Sequence, residues 1–171
     1  MAPEVAEVLF RRPVVGDGAA IWRLARDSGE LDLNSPYYYL VFASRFADSS
    51  VVACAGERVV GFVTGFLDPA QRETLFVWQV GVDESVRGQG IASRMLDALL
   101  ARDSCARVTH VDTTVTPSNE PSKAMFRSLA RRWHCPVEEH VEFAAADFPV
   151  EVRHEPEVRF RIGPLAGRAG R

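Results

Sequence analysis

The stretch Gln79-Val80-Gly81-Val82-Asp83-Glu84-Ser85-Val86-Arg87-Gly88-Gln89-Gly90-Ile91-Ala92 decides how this chain is read. An apolar strand over 75–82 enters a short polar turn, and the turn delivers Arg87-Gly88-Gln89-Gly90-Ile91-Ala92 onto an amphipathic helix that runs on through 93–101. Ile91, Met95, Leu96, Leu99 and Leu100 recur at helical spacing, so one face packs on a sheet and the helix start is held rigidly. Gly88 and Gly90 carry no side chain, which lets backbone N–H groups come close to a ligand. The first turn of a helix offers unpaired N–H donors and the positive end of the dipole, which suits a pyrophosphate. A strand-to-helix turn that merely contains glycine is the competing reading. Spacing excludes two others: there is no Gly-x-Gly-x-x-Gly and no Gly-Lys-Ser/Thr here.

The turn Arg87-x-x-Gly90-x-Ala92 resembles the Arg/Gln-x-x-Gly-x-Gly/Ala signature of the GCN5-related N-acetyltransferases. A second segment supports the resemblance. Residues 108–115 are β-branched and strand-like, Thr116-Pro117-Ser118-Asn119 is a turn, and a helix covers about 121–131. Family members carry Asn-x-x-Ala-x-x-Leu-Tyr at this point. This chain has Asn119, Ser122, Met125 and Phe126 in that frame, so the tyrosine that many members use as general acid toward the departing thiolate is a phenylalanine. The two segments span residues 74–131. The resemblance implies acetyl-CoA as co-substrate, held by Val80, Gly81, Val82, Arg87, Gly88, Gln89, Gly90, Ile91, Ala92, Asn119, Ser122 and Phe126.

Composition sets the bounds. A chain of 171 residues suits one domain with a proper core. A net charge of −3 and a pI near 5.8 show no bias toward nucleic acid. Cys54, Cys105 and Cys135 are odd in number and scattered, so neither a disulfide framework nor a metal site is expected; Cys54 reads as a buried hydrophobe. No apolar run reaches membrane-span length, and the start lacks a signal segment, so a cytoplasmic location is expected. Residues 1–163 read as a single domain and 164–171 as a disordered tail.

The order of elements follows from periodicity and breakers. Residues 7–12 form a first strand, and Asp17 is expected to cap a helix over 19–28 that Gly29 stops. Ser35-Pro36 opens a second helix running to about residue 46. Strands at 51–55 and 58–66 form a hairpin around Gly56-Glu57. After the long strand 74–82 come helix, strand, helix, and two last strands at about 137–144 and 158–162. The resemblance implies an α/β fold with this order: a mixed, mostly antiparallel sheet, splayed between its fourth and fifth strands and flanked by helices.

Three further segments narrow the resemblance. They are Asp32-Leu33-Asn34-Ser35-Pro36-Tyr37-Tyr38-Tyr39-Leu40, Phe76-Val77-Trp78-Gln79-Val80, and residues 148–162 with His154-Glu155-Pro156-Glu157. Together with Thr116-Pro117-Ser118-Asn119 they resemble the branch of the family that acetylates the γ-amine of L-2,4-diaminobutyrate in ectoine synthesis. A substrate with two ammonium groups and one carboxylate needs anionic partners and hydrogen-bond donors. The resemblance therefore implies substrate contacts from Asp32, Asn34, Tyr39, Trp78, Thr116, His154, Glu155 and Glu157. Direct transfer needs a base for the ammonium, and Asp32, His154 and Glu157 are the candidates. A backbone N–H near Val80 or Gly81 would polarise the acetyl carbonyl. Blander readings stand beside these: Glu155 and Glu157 as a solvated face, Asp32 as a loop cap, Trp78 as core beside Phe76 and Val80, and His110 as structural. The family commonly pairs through its last strands, so a homodimer is expected, using the series Val137, Val141, Phe143, Val158, Phe160 and Ile162. Acetylation of another diamine, of an amino-acid amine or of a protein N-terminus remains open, as does a non-catalytic acyl-CoA sensor, which Phe126 would suit.

Overall fold

Strands and helices follow one another as β1 (Val8–Arg11), α1 (Gly18–Ser28), α2 (Pro36–Ser44), β2 (Val51–Ala55), β3 (Arg58–Leu67), β4 (Thr74–Val82), α3 (Ile91–Leu100), β5 (His110–Val115), α4 (Glu120–Arg132), β6 (Val137–Phe143) and β7 (Glu157–Ile162). This is the expected order. The structure, a computed structural model, describes residues 7–166. They fall into two compact units: the chain up to Phe66 together with Trp78–Cys105, and Leu67–Val77 together with the chain from Ala106 on.

In the first unit β1 runs antiparallel to β2 and β2 to β3, with the hairpin turned at Gly56 in the left-handed region, φ 60°. Ile21 and Ala25 of α1 pack with Tyr39 of α2 and with Val52, Cys54, Val59 and Phe62 of the strands. The apolar stripe read from the sequence of α3 is buried in full: Ile91, Met95, Leu96, Leu99 and Leu100. Gly81 has a packing reason of its own. A Cβ there would stand 2.4 Å from the Phe62 ring, so this glycine makes room for the core rather than for a ligand.

In the second unit β4 and β5 run parallel, from Thr74 beside His110 to Val77 beside Thr113. A parallel pair cannot be closed by a tight turn, and the crossover that contains α3 makes the connection. Beyond β5 the pairing is antiparallel, β5 to β7 and β7 to β6. Phe160 and Ile162 of β7 are buried, and the Arg127 guanidinium of α4 lies 5.5 Å from the Phe160 ring.

Four expectations change. Asp17 does not cap α1 with its side chain. Its carboxylate takes two hydrogen bonds from the Arg11 guanidinium, at 2.7 and 2.9 Å, and one from Val14 N–H at 2.7 Å. Burial alone would push that carboxyl up, but these donors outweigh it and hold it below the usual range. The second helix stops at Ser44, short of the expected end. Of the apolar series in the last strands, only Val141 and Phe143 stand exposed, because Phe160 and Ile162 are core. Order also continues past residue 163: Leu165 is buried and its N–H donates to the Thr109 carbonyl. The expected tail from 167 on lies outside the described residues.

Candidate active site

In the first unit, the 79–92 segment adopts the conformation its glycines suggest. Gly88 and Gly90 have φ of 77° and 70°, where an L side chain is strained, and a Cβ at either would meet nothing within 4 Å. The glycines are needed for the path of the backbone, and the space above them is open. Gly90 is the N-cap of α3, and the first intrahelical bond runs from Arg94 N–H to the Gly90 carbonyl at 3.0 Å. The N–H groups before Arg94 therefore point out of the helix start. The turn is pinned from behind: Asp83 N–H donates to the Val60 carbonyl, and the Asp83 carboxylate accepts from Ser85 N–H. Arg87 folds back so that its Nε donates to the Val82 carbonyl at 3.3 Å. Gln89 is exposed, Val80, Val82 and Ala92 are half-buried, and Ile91 is buried as the first residue of the packed stripe. This turn fits an anionic group, such as a pyrophosphate, by its donors and its lack of side chains.

The same unit assembles the acceptor candidates. Tyr39 has no exposed surface, so it lines no open pocket, contrary to the expected substrate contact. Its hydroxyl instead donates to Gln79 Oε1 at 3.1 Å, and Gln79 Nε2 donates to the Asp32 main-chain carbonyl at 2.7 Å. Burial pushes the Tyr39 phenol up, with Asn34 and Gln79 partly offsetting it, and Asn34 Nδ2 donates to the Asp32 carbonyl at 3.4 Å. Asp32, Asn34, Tyr39 and Gln79 are thus one connected group. Tyr38 bonds Thr64 Oγ1 at 3.1 Å, and burial pushes its phenol well up. Its ring sits 5.3 Å from Trp78, within a cluster that also holds Phe42, Phe46 and Phe66. Trp78 is half exposed, so it is neither plain core nor plain surface: one side packs on aromatics and the other is open. Tyr37 is exposed to solvent.

In the second unit the sequence-predicted residues take two kinds of place. Asn119 is the N-cap of α4, its Oδ1 accepting from Ser122 N–H at 3.1 Å, and both residues are half-exposed at the helix start. Phe126 is 3 % exposed and packs inward from α4, which corrects its assignment to the cofactor. Thr116 is half-exposed at the head of the turn, its carbonyl accepting from Asn119 N–H at 3.0 Å. Glu155 is exposed but committed. Its carboxylate accepts from Ser118 N–H at 3.1 Å and from the Ser118 hydroxyl, so it ties the 148–157 segment to that turn and is not left to a substrate.

His154 is held from three sides. Its Nδ1 lies 2.5 Å from the Glu155 carbonyl, its ring stacks on Phe148 with centroids 4.0 Å apart, and its Nε2 lies 3.8 Å from Glu157 Oε1. A carbonyl can only accept, so Nδ1 carries the proton, and in the neutral ring Nε2 carries the lone pair. His110 is structural, as its setting suggested: burial and Arg161 push its pKa down, and its Nδ1 pairs with Thr109 Oγ1 at 2.9 Å. Among the described residues, no group of three His, Cys, Asp or Glu side chains could hold a metal ion. Gln79, Ser118 and Phe148 were not foreseen as site residues. Gln79 stood in the quoted strand, but an amide in an apolar strand declares a need for partners without naming them.

The acetyltransferase (GNAT) family model matches residues 19–130. The chain belongs to the GNAT family. Among its GNAT relatives is L-2,4-diaminobutyric acid acetyltransferase of Halalkalibacterium halodurans, 49% identical over 158 residues, or 92% of this chain and 82% of that one. The Marinococcus halophilus protein of the same name is 48% identical, over 94% of this chain and 92% of that one. Among solved structures, the diaminobutyrate acetyltransferase of Paenibacillus lautus, in complex with L-2,4-diaminobutyric acid and coenzyme A, matches with a TM-score of 0.89. It is 43% identical, and the match covers 93% of this chain and 96% of that one. No helix among the described residues of this GNAT chain is long and apolar enough to cross a membrane.

Proposed function

We propose that this chain transfers the acetyl group of acetyl-CoA to the γ-amine of L-2,4-diaminobutyrate, giving N4-acetyl-L-2,4-diaminobutyrate, the precursor of ectoine. What carries the reading is agreement in fold, over nearly the whole chain, with an enzyme whose structure holds diaminobutyric acid and coenzyme A. The open α3 start and its two left-handed glycines fit the anionic part of that co-substrate. The setting is a cytoplasmic homodimer working in osmoprotection.

Acetyl-CoA, when bound, supplies the activated acetyl group and carries away the thiolate. The chain's own residues must handle protons and charge. An alkylammonium has a pKa of about 10 and cannot attack until it loses a proton. His154 is the base: Nδ1–H is anchored on the Glu155 carbonyl, which leaves the Nε2 lone pair as the acceptor. Phe148 fixes the ring plane, and the Glu157 carboxylate near Nε2 balances the imidazolium that forms. Asp32 is the second anionic partner for the diamine, and Trp78 offers its open face to the cation. Phe126 has no proton to give, so the thiolate takes its proton from the ammonium side or from water.

Removing a carboxylate that holds a desolvated ammonium costs roughly 2–5 kcal/mol. Asp32→Ala and Glu157→Ala should each lower kcat/KM for diaminobutyrate by about 30-fold or more, with acetyl-CoA affinity unchanged by calorimetry. A monoamine acceptor should lose much less. His154→Gln should lower kcat by about a hundredfold, the scale of general-base catalysis. Equal losses on both acceptors would give the carboxylates a structural role, and full activity in all three variants would refute the site.

A further inference from the structure

We infer that Gln79 is a positioning residue for the acceptor, tying the loop that carries Asp32 to β4. The inference rests on the proposed role of Asp32.

The geometry is specific. Gln79 is 6 % exposed, and both ends of its carboxamide are used: Oε1 accepts from the Tyr39 hydroxyl and Nε2 donates to the Asp32 carbonyl at 2.7 Å. The partners lie 40 and 47 residues away in sequence, so the amide joins β4 to α2 and to the loop that leads into it. Tyr39 is buried, and Asn34, two residues past Asp32, donates from Nδ2 to the Asp32 carbonyl at 3.4 Å. The loop is therefore held at the Asp32 carbonyl by Gln79, and Tyr39, which holds the other end of the amide, is itself fixed by ring contacts with Tyr38 of α2 and Phe62 of β3.

Leucine or methionine would fill this buried position with less cost than a lone amide. An amide is favoured only when both of its groups are paired, as they are here. What the pairing supplies is a fixed distance between β4 and the Asp32 backbone. Trp78 is the preceding residue on the strand, so the same tether limits how far the backbone at Asp32 can move from the segment that carries Trp78. Within a rigid site, displacement of a charged partner by about 1 Å is enough to weaken a substrate contact strongly.

The test uses the full chain. Gln79→Met keeps the volume and removes both hydrogen bonds, and Gln79→Glu keeps the acceptor for Tyr39 while setting a carboxylate oxygen against the Asp32 carbonyl. Both should raise KM for diaminobutyrate by about tenfold or more, the size of one buried hydrogen bond left unmade, with acetyl-CoA affinity within about twofold. Tyr39→Phe keeps the bond from Gln79 to Asp32 and should shift KM by only about threefold. Hydrogen exchange of the amides over 30–35 should quicken in both Gln79 variants, and this readout does not depend on turnover. Unchanged exchange would overturn the tether. Quickened exchange with an unchanged KM would overturn the positioning role. Parallel losses in acceptor and acetyl-CoA binding would reduce Gln79 to general support of the strand. A wild-type chain that fails to acetylate diaminobutyrate would refute the functional reading, while the exchange result would still decide the tether.

Discussion

Phe126 occupies the position of the tyrosine in the family signature that this chain resembles, and its ring is buried in the packing of α4 rather than turned toward solvent. A hydroxyl added there would enter an apolar setting with no partner, at a cost of about 1–3 kcal/mol. Phe126→Tyr should therefore lower the melting temperature by several degrees and leave kcat within a few fold, as read by calorimetry and steady-state turnover. A gain of about a hundredfold would mean that the enzyme lacks a leaving-group acid which a tyrosine here can supply. Other residues were less legible in the sequence. Tyr37, Tyr38 and Tyr39 are chemically alike, and the run Pro36-Tyr37-Tyr38-Tyr39-Leu40-Val41-Phe42 is apolar on every side, so hydropathy cannot set the phase of the helix. The structure separates them into an exposed, a half-buried and a fully buried ring. Gly88 and Gly90 were legible because the left-handed turn they make is a local property of two residues.

The elements themselves were the most readable part, since strand alternation and the stripe of α3 need only neighbours along the chain. What failed at this scale depended on partners far away in sequence or outside the element. Asp17 has the chemistry of a cap, but Arg11 on β1 competes for it and wins with two charge-assisted bonds. Asn119 faced no such competitor and caps α4 as a cap residue should. The last strands show the same lesson. Phe160 and Ile162 of β7 are core, whereas Val141 and Phe143 of β6 are exposed, together with Val150 and Val152 beyond the strand. Among the described residues β6 follows β7 at the end of the strand order, so its outer edge is unpaired there, with Val141 and Phe143 exposed on the strand. The proposed homodimer would use this edge. Light scattering at micromolar concentration should give about twice the 18.9 kDa of the chain, and Phe143→Glu should shift the population toward the monomer. A wild-type mass near that of one chain would contradict it.

For the molecule as a whole, the family fold comes from the order of elements, and the proposed chemistry rests on two groups of side chains. One group is Asp32, Asn34, Tyr39 and Gln79 with the 79–92 turn, where an amide and a buried phenol hold a loop in place. The other is His154 with Phe148, Glu155 and Glu157, where a carbonyl fixes the tautomer of the imidazole. The first was half visible in the sequence, because the loop and the turn carry motifs while the amide that links them does not. The second was visible as a set of candidates, and the proposed choice of His154 as base rests on the contacts of its Nδ1. The central claim is that the acetyl group goes to the γ-nitrogen of diaminobutyrate. The most direct test is to incubate the purified chain with acetyl-CoA and L-2,4-diaminobutyrate and to locate the acetyl group by proton–nitrogen correlation spectroscopy. A single product acetylated at N4, formed with equimolar release of free thiol, is the predicted result. Acetylation at N2, a mixture of both isomers, or no thiol release would contradict it.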